Sequence, residues 1–95
     1  MLAVIATIKV KPGMEKDFER EALALAREVN AKEPGCKLYT LSRGEAAHTY
    51  IFMERYVDQA AVEHHRGTAY FKEIGRKMGA FMDGKPEIQR LTELS

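Results

Sequence analysis

Met1 to Lys11 constrains this chain most, because the strand that it predicts is apolar on both faces for most of its length. Side chains alternate along a strand, so Leu2, Val4, Ala6, Ile8 and Val10 share one face. Ala3, Ile5 and Thr7 share the other, ahead of Lys9 and Lys11. An antiparallel sheet with one wet face shows cleaner alternation than this. Something must cover the second face, and 95 residues leave few elements to spare. A partner subunit is the expected cover, which makes a homodimer the expected assembly.

The rest of the chain supplies the layers. Pro12-Gly13 predicts a turn. A helix follows from Met14 to Lys32, with Met14, Phe18, Ala22, Leu25 and Val29 forming one apolar stripe. Glu33-Pro34-Gly35 ends it: proline disfavours helical geometry in the residue before it, and glycine accepts positive φ. Cys36 to Ser42 and about His48 to Tyr56 predict two strands close enough for a hairpin. Asp58 is placed to cap a short helix over Gln59 to His65, and Thr68 to cap another after the Arg66-Gly67 break. Phe71, Ile74, Met78 and Phe81 mark that last helix. Gly75 and Gly79 weaken it but would let it approach another backbone. Gly84 and Pro86 stop it.

Glu87 to Leu94 is ambiguous. Ile88, Leu91 and Leu94 are three apart, which alone favours a helix. A strand is the better reading, because strand–helix–strand–strand–helix then closes as a split βαβ unit. The expected fold is α+β and ferredoxin-like, with an antiparallel sheet. No linker or repeat divides residues 1–95, so one domain is expected.

Composition removes several function classes. A net charge of +1 and no lysine or arginine run leave no footprint for nucleic acid. The apolar run Met1 to Ile8 is too short to span a bilayer and lacks the basic flank of a signal peptide. Cys36 stands alone, which suits a reducing, cytoplasmic setting and a small buried hydrophobe better than a nucleophile. His64 and His65 are adjacent, so on a helix they diverge and cannot share a metal. Neither metal-ligand spacing, nor a phosphate loop, nor a G-x-S-x-G serine is present, so no metal, haem or flavin is expected.

The chemistry concentrates between Tyr50 and His65. Tyr50, Phe52, Glu54 and Tyr56 fall on one strand face, an aromatic wall carrying a single carboxylate. His65 lies three and four residues after Val62 and Ala61, so it should turn inward while His64 stays exposed. Tyr39, Tyr50, Phe52, Tyr56, Tyr70, Phe71 and Phe81 could line a pocket for a flat ring; for Phe71 and Phe81 core packing is the simpler reading.

Met1 to Ala6 through Pro12-Gly13, Glu33-Pro34-Gly35-Cys36 with Tyr39, Tyr50 to Glu54-Arg55-Tyr56, Asp58, His65 and Thr68 together resemble the antibiotic biosynthesis monooxygenase domain family. The resemblance runs the whole chain in order. It implies a ferredoxin-like fold that dimerises through its sheets into an α+β barrel, with a pocket between sheet and helices in each subunit. Family members include cofactor-independent quinol or anthrone monooxygenases, haem-degrading enzymes and an isomerase of a phosphorylated autoinducer. The haem-degrading type relies on a first-strand asparagine and a tryptophan; this strand has Thr7 instead, and the chain has no Trp. Where many members carry Trp, this chain has Tyr56.

The leading expectation is a cofactor-free monooxygenase acting with O₂ on a small hydroquinone-like or polycyclic aromatic substrate. Its candidate catalytic residues are His65 as base and Glu54 as orienter or alternate base. Tyr50, Tyr56, Tyr39 and Phe71 are candidate ring contacts, and Arg43 a candidate anion contact at the pocket mouth. The alternatives are an isomerase of a phosphorylated small molecule using Arg43, Arg55 and Arg66, and a non-catalytic ligand-binding module on the same fold.

Overall fold

The computed structural model describes residues 1–95. It contains four strands, β1 (Leu2–Lys9), β2 (Cys36–Arg43), β3 (Thr49–Tyr56) and β4 (Glu87–Thr92). Three helices accompany them: α1 (Glu15–Lys32), α2 (Gln59–Gly67) and α3 (Ala69–Gly79). The sheet order is β2-β3-β1-β4, antiparallel throughout. The fold is therefore α+β and ferredoxin-like, as the element order predicted. No helix is long and apolar enough to cross a membrane.

Register decides which side chains meet. Tyr39, Glu54, Val4 and Arg90 form one row across β2, β3, β1 and β4, on the sheet face that carries the helices. Ala6 of β1 falls beside Phe52 and Ile88, and Leu2 beside Tyr56 and Thr92. Phe18, Ala22, Leu25 and Val29 of α1 are buried against this face with Ile8, Val10, Tyr39, Tyr50 and Phe52. Met14, the first member of the predicted stripe, instead sits at the helix N-cap and is exposed. The other sheet face aligns Ala3 with Arg55 and Leu91, Ile5 with Met53, and Thr7 with Ile51. No helix covers it, and Met53 and Leu91 remain exposed.

β4 settles the ambiguity of the C-terminal pattern. Pairing with β1 satisfies a strand edge that a helix there would leave open, so tertiary hydrogen bonding overrides the three-residue spacing.

Both caps read from sequence form. Asp58 accepts from the Ala61 amide at 2.9 Å and Thr68 Oγ1 from the Phe71 amide at 3.3 Å. Gly35 has a different role from the one expected. Its φ is not positive; a Cβ there would come 2.8 Å from Ala61 Cβ. Glycine thus lets the turn after α1 press directly onto α2, which places the C-cap of α1 beside His65. Gly75 and Gly79 also depart from expectation: nothing lies within 4 Å of where their Cβ atoms would be. They leave open space rather than a tight backbone contact.

Candidate active site

Between the helix-bearing sheet face and α2–α3 lies a cavity of about 440 Å³, within the usual size range of small-molecule sites. Its sheet wall includes Val4, Ala6, Phe52 and Ile88, and its helix wall Val62, Phe71 and Met78. The space left by Gly75 and Gly79 belongs to it. In helical positions those glycines cost about 1 kcal/mol each relative to alanine, and what they provide is room.

Three polar side chains, each with an atom that no protein group engages, converge on this apolar chamber. His65, 3% exposed, stands among Phe71, Tyr39 and Tyr56, with ring centroids at 4.6, 5.2 and 5.6 Å. Its Nδ1 donates to Glu33, 3.0 and 3.1 Å from the two carboxylate oxygens. A carboxylate only accepts, so this contact fixes the hydrogen on Nδ1 and leaves Nε2 as the acceptor of the neutral ring. Tyr56 donates to Glu54 Oε1 at 2.6 Å, leaving Oε2 free. The Tyr39 hydroxyl has no partner within the chain. None of these free atoms is sealed from solvent, so they open on the cavity that their residues line.

Electrostatics separates their roles. Burial raises the Glu54 carboxyl above its ordinary range, against the opposing Tyr56 hydrogen bond and the charges of His65 and Arg66. Burial also pushes the Tyr39 and Tyr56 phenols far up, so both stay protonated as donors. Cys36 is pushed up to about 11, again chiefly by burial, and its thiol donates to the Leu38 carbonyl at 3.2 Å. It is not a nucleophile at neutral pH.

The shift at Glu54 has a consequence for stability. A carboxyl that binds its proton more tightly when folded loses stability as pH rises from its unfolded-state value through its folded-state value. Glu54→Gln keeps an acceptor for Tyr56 and cannot ionise. The variant should match the wild type below that window and exceed it in stability above. Urea midpoints on both sides of the window measure this, and a variant less stable than wild type at neutral pH contradicts it.

Glu33 is the residue that sequence reasoning missed. It is 5% exposed and also accepts a hydrogen bond from Tyr70. Tyr70 is itself pushed up to about 12, first by burial and then by this carboxylate. Glu33 does not line the cavity; it stands behind His65.

Of the residues singled out from sequence, the structure brings Tyr39, Glu54, Tyr56, His65 and Phe71 together around the cavity, Phe71 included despite its core-like pattern. Tyr50 and Arg43 must be corrected: neither lines it. They are cross-strand neighbours at the loop end of the β2–β3 hairpin. Glu19 of α1 accepts from the Tyr50 hydroxyl and from Arg43 at 3.1–3.2 Å. The pair clamps α1 to the sheet. Arg55 is likewise occupied, by Glu93 at 3.0 Å, and of the three arginines named for an isomerase only Arg66 reaches the cavity. No group of three or more His, Cys, Asp or Glu side chains is placed to hold a metal ion.

Comparison with known proteins agrees with this fold. The antibiotic biosynthesis monooxygenase family model matches residues 1–77. YcnE of Bacillus subtilis, provisionally named a monooxygenase, is 30% identical over 95 residues, spanning 100% of this chain and 99% of its own. A Caulobacter crescentus structure, provisionally described as an antibiotic biosynthesis monooxygenase, superposes with a TM-score of 0.96 at 41% identity, covering 99% of this chain and 90% of that one. A Pseudomonas aeruginosa structure gives 0.88 at 33% identity, covering 99% and 94%.

Proposed function

The chain belongs to the antibiotic biosynthesis monooxygenase family, and from that premise we propose that it oxygenates a hydroquinone-like aromatic substrate with O₂, without a cofactor. The observation that carries this reading is the oriented imidazole: His65 Nε2 is free, faces an apolar chamber, and is backed by a buried carboxylate. His65 takes a phenolic proton, and the anion that forms is electron-rich enough to reduce O₂ directly. An apolar site favours this step because a bound ring displaces water from around the anion.

The stoichiometry balances. One oxygen atom bonds to a ring carbon in place of hydrogen, the other leaves as water, and the substrate supplies all four electrons. A hydroquinone thus becomes a hydroxyquinone. Tyr39 is positioned to donate to a ring oxygen, Glu54 to exchange a proton with the oxygenated ring, and Phe71, Phe52 and Tyr56 to pack against it.

The test is turnover of a hydroquinone panel by protein stripped of metal and flavin, with and without O₂. One O₂ consumed per hydroxyquinone, with one isotopic oxygen retained, is the expected result. Turnover that ignores O₂ would point to isomerase chemistry, and binding without turnover to a non-catalytic module. The same reading assigns the uncovered sheet face of Ala3, Ile5, Ile51, Met53 and Leu91 to a second copy of the chain. Sedimentation at micromolar concentration should show a dimer, and a monomer would remove that assignment.

A further inference from the structure

The cavity is not electrically symmetric. Its deep end holds the acid–base groups: His65, Glu54 and the Tyr39 hydroxyl. Its other charged lining residues are Arg66, at the end of α2, and Arg90, on β4. Both are exposed. Arg43 and Arg55 are each occupied by a glutamate, whereas the side chains of Arg66 and Arg90 have no carboxylate partner and no hydrogen bond within the chain. A guanidinium at a cavity rim without a counter-ion is ready to take an anion, since it presents a fork of donors matched to carboxylate or phosphate oxygens.

Register fixes the span. Arg90, Val4 and Glu54 lie on successive strands in one row. Neighbouring strands are about 4.8 Å apart, so the cation and the carboxylate arise roughly 10 Å from one another across the cavity floor. Val4, with Leu2 and Ala6 on the same face of β1, makes the floor between them apolar. Arg66 approaches from the helix side, close enough for its charge to act on the Glu54 carboxyl. A molecule filling this space meets buried proton-transfer groups at one end, hydrocarbon along its middle and Arg90 at the other, with Arg66 on the helix side.

We propose that the substrate carries an anionic substituent, held by Arg66 and Arg90, on a short arm extending from the ring that His65 and Glu54 engage. The aromatic half rests on the function proposed above; the anionic half rests on the two arginines alone. The deep end would hold the reacting hydroxyl, so the two cations set which way round the ring enters. An uncharged hydroquinone would lack that anchor.

Binding under anaerobic conditions separates this proposal from the oxygenase reading, because no chemistry is required. The probes are a (dihydroxyphenyl)propionate and its primary amide, which match in shape and differ in charge. Wild-type protein should bind the acid roughly tenfold or more tightly than the amide, the order expected of charge-assisted hydrogen bonds. Arg66→Gln and Arg90→Gln should each erode that preference, and the double variant should abolish it while still binding the amide. Equal affinities in the wild type, or a preference that survives in the double variant, would overturn the anion site. Glycerol phosphate binding more tightly than either phenol would overturn the aromatic half in favour of a phosphorylated aliphatic ligand. If the acid binds as expected but aerobic turnover is absent, the oxygenase reading fails and the anion site stands.

Discussion

Turnover of an accepted hydroquinone should fall by roughly 10²–10⁴-fold when His65 is replaced by alanine, the usual contribution of a positioned acid–base group. His64→Ala should change little, because that ring is exposed and has no partner in the cavity. The contrast isolates position from chemistry, since the two histidines are adjacent on one helix. His65→Ala also removes a ring packed among three aromatic side chains. Stability must therefore be read beside activity: a folded variant with a normal urea midpoint and little turnover is the decisive result. If folded His65→Ala keeps near wild-type turnover, the histidine is structural. Glu54, raised by burial and open to the cavity through Oε2, would then be the base.

What the sequence disclosed and what it withheld follow a physical line. The stripe of α1, the two-faced β1, the caps at Asp58 and Thr68 and the inward turn of His65 are local, set by periodicity and by neighbours a few residues away. Phe52, Glu54 and Tyr56 could be grouped because strand alternation fixes their face. Glu33 was hidden by its own context: before Pro34 and Gly35 it reads as the end of a helix. Its partners His65 and Tyr70 lie 32 and 37 residues further along the chain. Arg43 and Tyr50 misled for the converse reason. They share the site's sheet face, but Glu19, 24 and 31 residues earlier, holds both away from the cavity. Gly75 and Gly79 announced a missing side chain without saying whether backbone or empty space fills the gap. Arg90 drew no notice until β4 was paired, because only register places it in the row of Glu54.

Glu33→Gln should reduce kcat by roughly 10²-fold or more while leaving KM nearly unchanged, since Glu33 stands behind His65 and touches no part of the cavity. The replacement keeps size and an acceptor oxygen, so packing against His65 and Tyr70 survives. It loses two things that a carboxylate supplies. A carboxylate offers only acceptors and holds the imidazole hydrogen on Nδ1; an amide can turn its NH₂ toward Nδ1 and stabilise the other tautomer. A carboxylate also balances the imidazolium that forms when Nε2 takes the substrate proton, and a neutral amide does not. Nitrogen NMR of the His65 ring reads the first loss directly. The wild type should show the Nδ1–H form, and Glu33→Gln should show a mixture or the Nε2–H form. A purely structural role for Glu33 would move the urea midpoint without moving this signal. Glu33→Ala is the harsher comparison, because it strands the buried His65 Nδ1 at about 1–3 kcal/mol and removes the acceptor of the Tyr70 hydroxyl. Its activity loss would mix misfolding with chemistry. If Glu33→Gln retains both the wild-type tautomer and wild-type kcat, the carboxylate serves only to satisfy buried donors, and the charge behind His65 plays no part in proton transfer.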